Sequence, residues 1–197
     1  MDFSKAILGP VHLQKEAAER IARSAAQSQS AFGQLLALMS SQNVLCCKRA
    51  AWCFSLAAKL RPGWTINCQK DLVALLDREN PPDGLLRNTL RILRDSRLQP
   101  AFYDRLAYHC FNFVEDPKQA IAIRAFAMHV LGQIGLALPD IRSEVKAIID
   151  YYFTGQTHAG LVSSAKAVIT LWNKADKQAD KRTGKQTDKQ AKAANNK

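Results

Sequence analysis

The chain has 197 residues, with 28 Lys and Arg against 17 Asp and Glu for a net charge of +11, and 47% of its residues are hydrophobic. This composition supports one sizeable core and excludes a wholly disordered chain. No run approaches the roughly 18 consecutive apolar residues of a membrane span, because the most apolar stretch, 120–138, is broken by Arg124, His129 and Gln133. The start, Met1-Asp2-Phe3-Ser4-Lys5, has no basic segment leading into an apolar one, so a cytoplasmic location without membrane association is expected.

Through residue 173, Gly and Pro are sparse and apolar residues recur every three to four positions, a pattern that predicts an all-α body. Three segments align at a period of about 37. Arg49-Ala-Ala-Trp-Cys-Phe-Ser-Leu runs to Pro62, Arg87-Asn-Thr-Leu-Arg-Ile-Leu-Arg to Pro100, and Arg124-Ala-Phe-Ala-Met-His-Val-Leu to Pro139. Each proline enforces the end of a helix of three to four turns. A second helical pattern follows each one, beginning near Asp71, Leu106 and Val145.

The predicted elements are, in order, a degenerate hairpin over about 11–40, hairpins over about 44–80, 83–116 and 119–155, and a closing helix over about 158–173. Helices this short persist only when stacked on neighbours. The expected fold is a short right-handed α-solenoid of HEAT or armadillo type. Residues 174–197 carry 8 basic and 3 acidic side chains and nothing apolar larger than alanine, which predicts a disordered basic tail.

Arg49-Ala-Ala-Trp52, Ala122-Ile-Arg-Ala-Phe-Ala-Met128 and Pro139-Asp-Ile-Arg-Ser-Glu-Val-Lys-Ala-Ile148 resemble small HEAT-like proteins common in Bacteroidetes that carry the label adenylosuccinate lyase. The resemblance covers about 44–172 and implies a helical-repeat fold. The label implies a lyase whose serine acts from a mobile Ser-Ser-x-Met-Pro-x-Lys-x-Asn loop. The comparable string here is Ser163-Ser-Ala-Lys166, which lacks the Met-Pro and the Asn and falls within the closing helix pattern.

Cys46, Cys47, Cys53, Cys68 and Cys110 have neither Cys-x-x-Cys nor zinc-finger spacing, so reduced thiols acting as small buried hydrophobes are expected, and no metal or cofactor. His129, on a helix apolar almost all round, reads as a neutral core residue. Arg49 and Arg124 share helix faces with apolar residues and should be partly buried. As a structural ladder they require carboxylates, with Asp77, Glu115 and Asp150 as candidates, or free helix-end carbonyls. On the 85–97 helix, Leu85, Leu86, Leu90, Ile92 and Leu93 define the buried arc. Arg87, Arg91 and Arg94, flanked by Arg97, then form an exposed basic stripe able to bind anions or a partner.

Because the repeats absorb nearly every patterned residue, with no catalytic constellation left over, the leading expectation is a non-catalytic scaffold for a protein partner. The alternative is weak, salt-dependent nucleic-acid binding through the basic face and tail, similar to the HEAT-like DNA-alkylation-repair glycosylases in the use of a basic groove.

Overall fold

The structure, a computed structural model, describes the backbone of residues 1–154 and 158–194 and the side chains of 1–151 and 158–181. No β-strand occurs among the described residues, and no helix there is long and apolar enough to cross a membrane. Among the described residues eleven α-helices follow one another: α1 (Phe3–Leu8), α2 (Lys15–Ala25), α3 (Gln29–Leu38), α4 (Val44–Leu60), α5 (Pro62–Thr65), α6 (Gln69–Leu76), α7 (Asp83–Arg94), α8 (Tyr103–Glu115), α9 (Ile121–Ala137), α10 (Arg142–Thr154) and α11 (Ala159–Ala194).

Local chemistry sets these boundaries. Asp2, Ser28 and Asn43 are N-caps whose side chains accept from the amides of Lys5, Ala31 and Cys46 at 3.0, 3.1 and 3.0 Å, satisfying donors that the first helical turn leaves unpaired. Pro62, Pro100 and Pro139 each open a short turn of helix that leads into the second helix of a pair. There the missing N–H costs nothing and the fixed φ is already helical.

The helices stack in two layers, which makes the protein an all-α solenoid. In the first layer α2 packs on α4, α4 on α7, α7 on α9 and α9 on α11. The second layer holds α3, α6, α8 and α10, whose neighbours within it touch sparsely. The first layer is therefore the more tightly packed of the two. Between the layers runs one continuous apolar core, including Leu35, Phe54, Leu72, Leu90, Leu106, Met128 and Trp172, each essentially inaccessible. Full burial of such a side chain contributes about 1.5–3 kcal/mol.

Two features depart from the expectations. Helix α1 precedes the first hairpin and buries Phe3 and Ile7 against the core. The closing helix, moreover, expected over about 158–173, runs from Ala159 to Ala194. Between Lys174 and Ala194 there is no proline and one glycine, with Ala, Lys and Gln in abundance, so intrinsic propensity favours helix even where there is no apolar face to bury. Among the described side chains, Trp172 is the last buried residue of α11. Beyond it Asp176 still meets the body through Arg142 at 2.9 Å.

Candidate binding face

On α4, Leu45, Lys48, Trp52, Leu56 and Lys59 are exposed or half-buried, at the three-to-four-residue spacing of one helix face. Parallel to them on α7 run Gly84, Arg87, Arg91 and Arg94. The seam between the two rows holds two clefts. One, of about 310 Å³ at the N-terminal ends of the helices, is lined by His12, Lys48, Arg49, Trp52, Arg87 and Asn88, among others. The second, of about 270 Å³ toward the C-terminal ends, includes Ser55, Lys59, Thr65, Arg91, Asp95 and Ser96.

The Leu85, Leu86, Leu90, Ile92 and Leu93 arc is buried, as are Asn88 and Thr89 beside it. The four arginines do not form a uniformly exposed stripe, however. Arg87 and Arg97 are exposed, whereas Arg91 and Arg94 are half-buried. Their guanidinium carbons lie 5.4 and 4.6 Å from the centre of the Phe126 ring, within cation–π range. The cause is architectural: α7 is an internal helix of its layer, so α9 covers the flank that a helical wheel leaves open. Arg94 also makes a two-pronged contact with Asp95, at 2.7 and 3.0 Å. Burial, and then the charges of Arg87 and Arg94, depress the Arg91 pKa, but a guanidinium remains charged at neutral pH. Arg97 lies past the end of α7 and off the seam, where its carbonyl accepts from Gln69 Nε2 at 2.5 Å.

The described hydrogen bonds of Arg49 and Arg124 go to backbone carbonyls. Arg49 is half-buried and donates to the carbonyls of Ile7, Pro10 and Val11 at 2.9, 2.8 and 2.5 Å. Arg124, 6% exposed, donates from Nε to the Val114 carbonyl at 3.0 Å, with Asp116 and Tyr151 in its electrostatic surroundings. Helix C-termini offer free carbonyls and partial negative charge, so a guanidinium there satisfies acceptors and is itself stabilised. Arg61 on Ala26, Arg78 on Met39 and Ser41, and Arg142 on Gly135 repeat the arrangement; the sequence reading missed all three. Asp77 instead pairs with Arg105 and with His109 Nε2, the latter at 2.7 Å.

Cys47, Cys53, Cys68 and Cys110 are poor nucleophiles. Burial raises the pKa of Cys47, takes that of Cys53 to about 12 and that of Cys68 to about 11, and raises that of Cys110. His129 is half-buried, and desolvation, then Arg94, hold its imidazole below the ordinary pKa. Ser163 and Ser164 lie within α11, where the Ser164 hydroxyl is buried and donates to the Gly160 carbonyl at 3.0 Å.

A two-layer stack of paired helices of this kind defines a helical-repeat protein. A family model described as HEAT repeat domain matches residues 9–171, and the chain belongs to that family. Comparison with curated proteins and with solved structures gives no match.

Proposed function

We propose that the protein is a non-catalytic scaffold that holds an acidic segment of a protein partner along the α4–α7 seam. The observation that carries this reading is the concentration of Lys48, Lys59, Arg87 and Arg91 around two clefts on one seam, with Asp95 the one carboxylate lining either of them. Fixed like charges in a shallow groove steer an oppositely charged partner and fix its register. The lyase activity carried by the label of the resembling proteins needs a serine on a closing loop, whereas Ser163 and Ser164 sit inside a helix.

Nucleic acid is the second reading, favoured by the half-buried Trp52 and Phe126 beside those cations, since bases stack on aromatic rings flanked by guanidinium groups. Affinity capture from native-host lysate, with and without nuclease, separates the two. The scaffold reading expects a protein partner retained after nuclease, with affinity lowered about tenfold or more by Lys59→Glu with Arg91→Glu, as charge reversal in a steered interface does. Capture abolished by nuclease would establish the second reading, and capture indifferent to the charge reversal would remove the seam from both.

A further inference from the structure

We infer that the cleft at the N-terminal end of the α4–α7 seam is a binding site for a phosphate monoester. Lys48, Arg49, Arg87 and His12 line it together with Trp52 and Asn88, and no carboxylate does. It differs in this from the positions where a carboxylate answers an arginine's charge: Arg94 has Asp95, Arg105 has Asp77, and Arg142 has Asp176. Lys48 and Arg87 have no acidic partner among the described residues. A compact dianion fits such a cluster because lysine and arginine supply several charge-assisted donors to one oxyanion.

The cleft is built rather than incidental. Through its bonds to Ile7, Pro10 and Val11, Arg49 pins the segment that carries His12 against α4. Gly84 lets the Lys48 stem lie across α7 toward Arg87: a Cβ at that position would stand 3.3 Å from both Cγ and Cε of Lys48. His12, Lys48 and Arg87 are 36 and 39 residues apart, so successive repeats each contribute one group. Asn88, 1% exposed, gives its Nδ2 to the Gly84 carbonyl at 2.7 Å, while its Oδ1 has no partner among the described residues. A buried acceptor left open beside cations suits the amide or hydroxyl that a phosphorylated residue or a phosphorylated metabolite carries next to its phosphate.

The charge distribution favours one compact group over a nucleic-acid strand. Three cationic side chains and no carboxylate line this cleft, whereas a strand continuing along the seam would next meet Asp95 in the second cleft. The inference rests on the scaffold reading only for the source of the phosphate, which is either a phosphorylated side chain of the partner or a free phosphate metabolite.

Calorimetric titration of the full chain with inorganic phosphate, at low and fixed chloride, tests the site without any partner, so its failure would leave the scaffold reading standing. Saturable binding is expected, weakened at least about tenfold by Lys48→Ala and by Arg87→Ala. It should be unchanged by Lys70→Ala, which removes one exposed charge from α6 on the opposite layer. Far-UV circular dichroism establishes that each variant is folded. A Gly-Ser peptide bearing one phosphoserine separates the sources: binding tighter than that of inorganic phosphate points to a partner residue, and binding no tighter points to a metabolite. Either result supports a monoester site so long as the peptide binds saturably, and a peptide that does not bind overturns it. Absence of saturation, equal weakening by Lys70→Ala, or oligo-dT binding that is tighter than phosphate and depends equally on Lys59 would overturn it.

Discussion

The indole Nε1 of Trp172 donates to the Gly132 carbonyl at 2.8 Å, across the contact that fastens α11 to the body. The approach is close because α9 offers two glycines, one helical turn apart, where other residues would place side chains. A Cβ at Gly135 would stand 2.8 Å from Cζ2 and 3.0 Å from Cε2 of Trp172, and one at Gly132 would stand 2.8 Å from Cγ2 of Val168. The indole is rigid and buried, so it cannot yield. Gly135→Ala should therefore destabilise the fold by about 1–3 kcal/mol, as overpacking does, despite the roughly 1 kcal/mol that alanine gains over glycine in a helix interior. Trp172→Phe, which keeps a ring but loses the bond, should cost at least about 1 kcal/mol. Urea unfolding of both variants checks this, and a stabilised Gly135→Ala would show that the contact is looser than these distances state.

Arg49 joins α4 to the end of α1 through three carbonyls, and no second tie of this kind holds residues 9–14 among the described hydrogen bonds. An ammonium cannot reproduce that planar fork. Arg49→Lys should release the N-terminal segment and leave the body intact, with a global cost of about 1–3 kcal/mol from lost charge-assisted bonds. Amide exchange should accelerate across residues 3–14 and change little in α7 and α9. Uniform acceleration over the whole chain would assign Arg49 to the core instead.

The depressed pKa of His129 ties stability to pH in a definite direction. Burial and Arg94 disfavour the imidazolium, against the opposing pull of Asp95. The folded protein therefore binds fewer protons at this site than the unfolded chain does. The corresponding stability is fully present above the ordinary histidine pKa of about 6.5 and is lost as pH falls below it toward the folded value. Chemical denaturation at pH 5 and pH 8 should show a smaller difference for His129→Gln than for the unaltered protein. An equal difference in both would place the titration at another group.

These examples indicate which parts of the molecule were legible in its sequence. The apolar period revealed the helices, and Pro62, Pro100 and Pro139 marked where each pair turns. What stayed hidden depends on groups about one repeat away. Arg49 reaches Pro10, Arg78 reaches Met39, Gln133 reaches the Arg94 carbonyl and Trp172 reaches Gly132, each spanning 39 or 40 residues. A backbone carbonyl has no sequence signature, so helix-end carbonyls could be expected as a class but only carboxylates such as Asp77 could be named. Helix α1, at six residues, is shorter than the windows in which periodicity can be read. The anion cleft escaped notice because Lys48 and Arg87 belong to different repeats, while the arginines of a single helix drew attention to α7 alone.

The arginines of α7 should separate by what they touch. Arg87 projects into the cleft and is exposed, so Arg87→Ala should change stability by less than about 0.5 kcal/mol, as surface substitutions generally do. Arg94 lies 4.6 Å from the Phe126 ring centre and chelates Asp95, with 29% of its side chain exposed. Its replacement by alanine removes a partly desolvated cation–π contact, worth about 0.5–1 kcal/mol, together with an adjacent ion pair that solvent partly screens. In a double-mutant cycle, Arg94→Ala and Phe126→Leu should be coupled by several tenths of a kcal/mol, whereas Arg87→Ala and Phe126→Leu should be additive. Coupling of equal size in both cycles would return Arg94 to the exposed stripe that the helical wheel predicts.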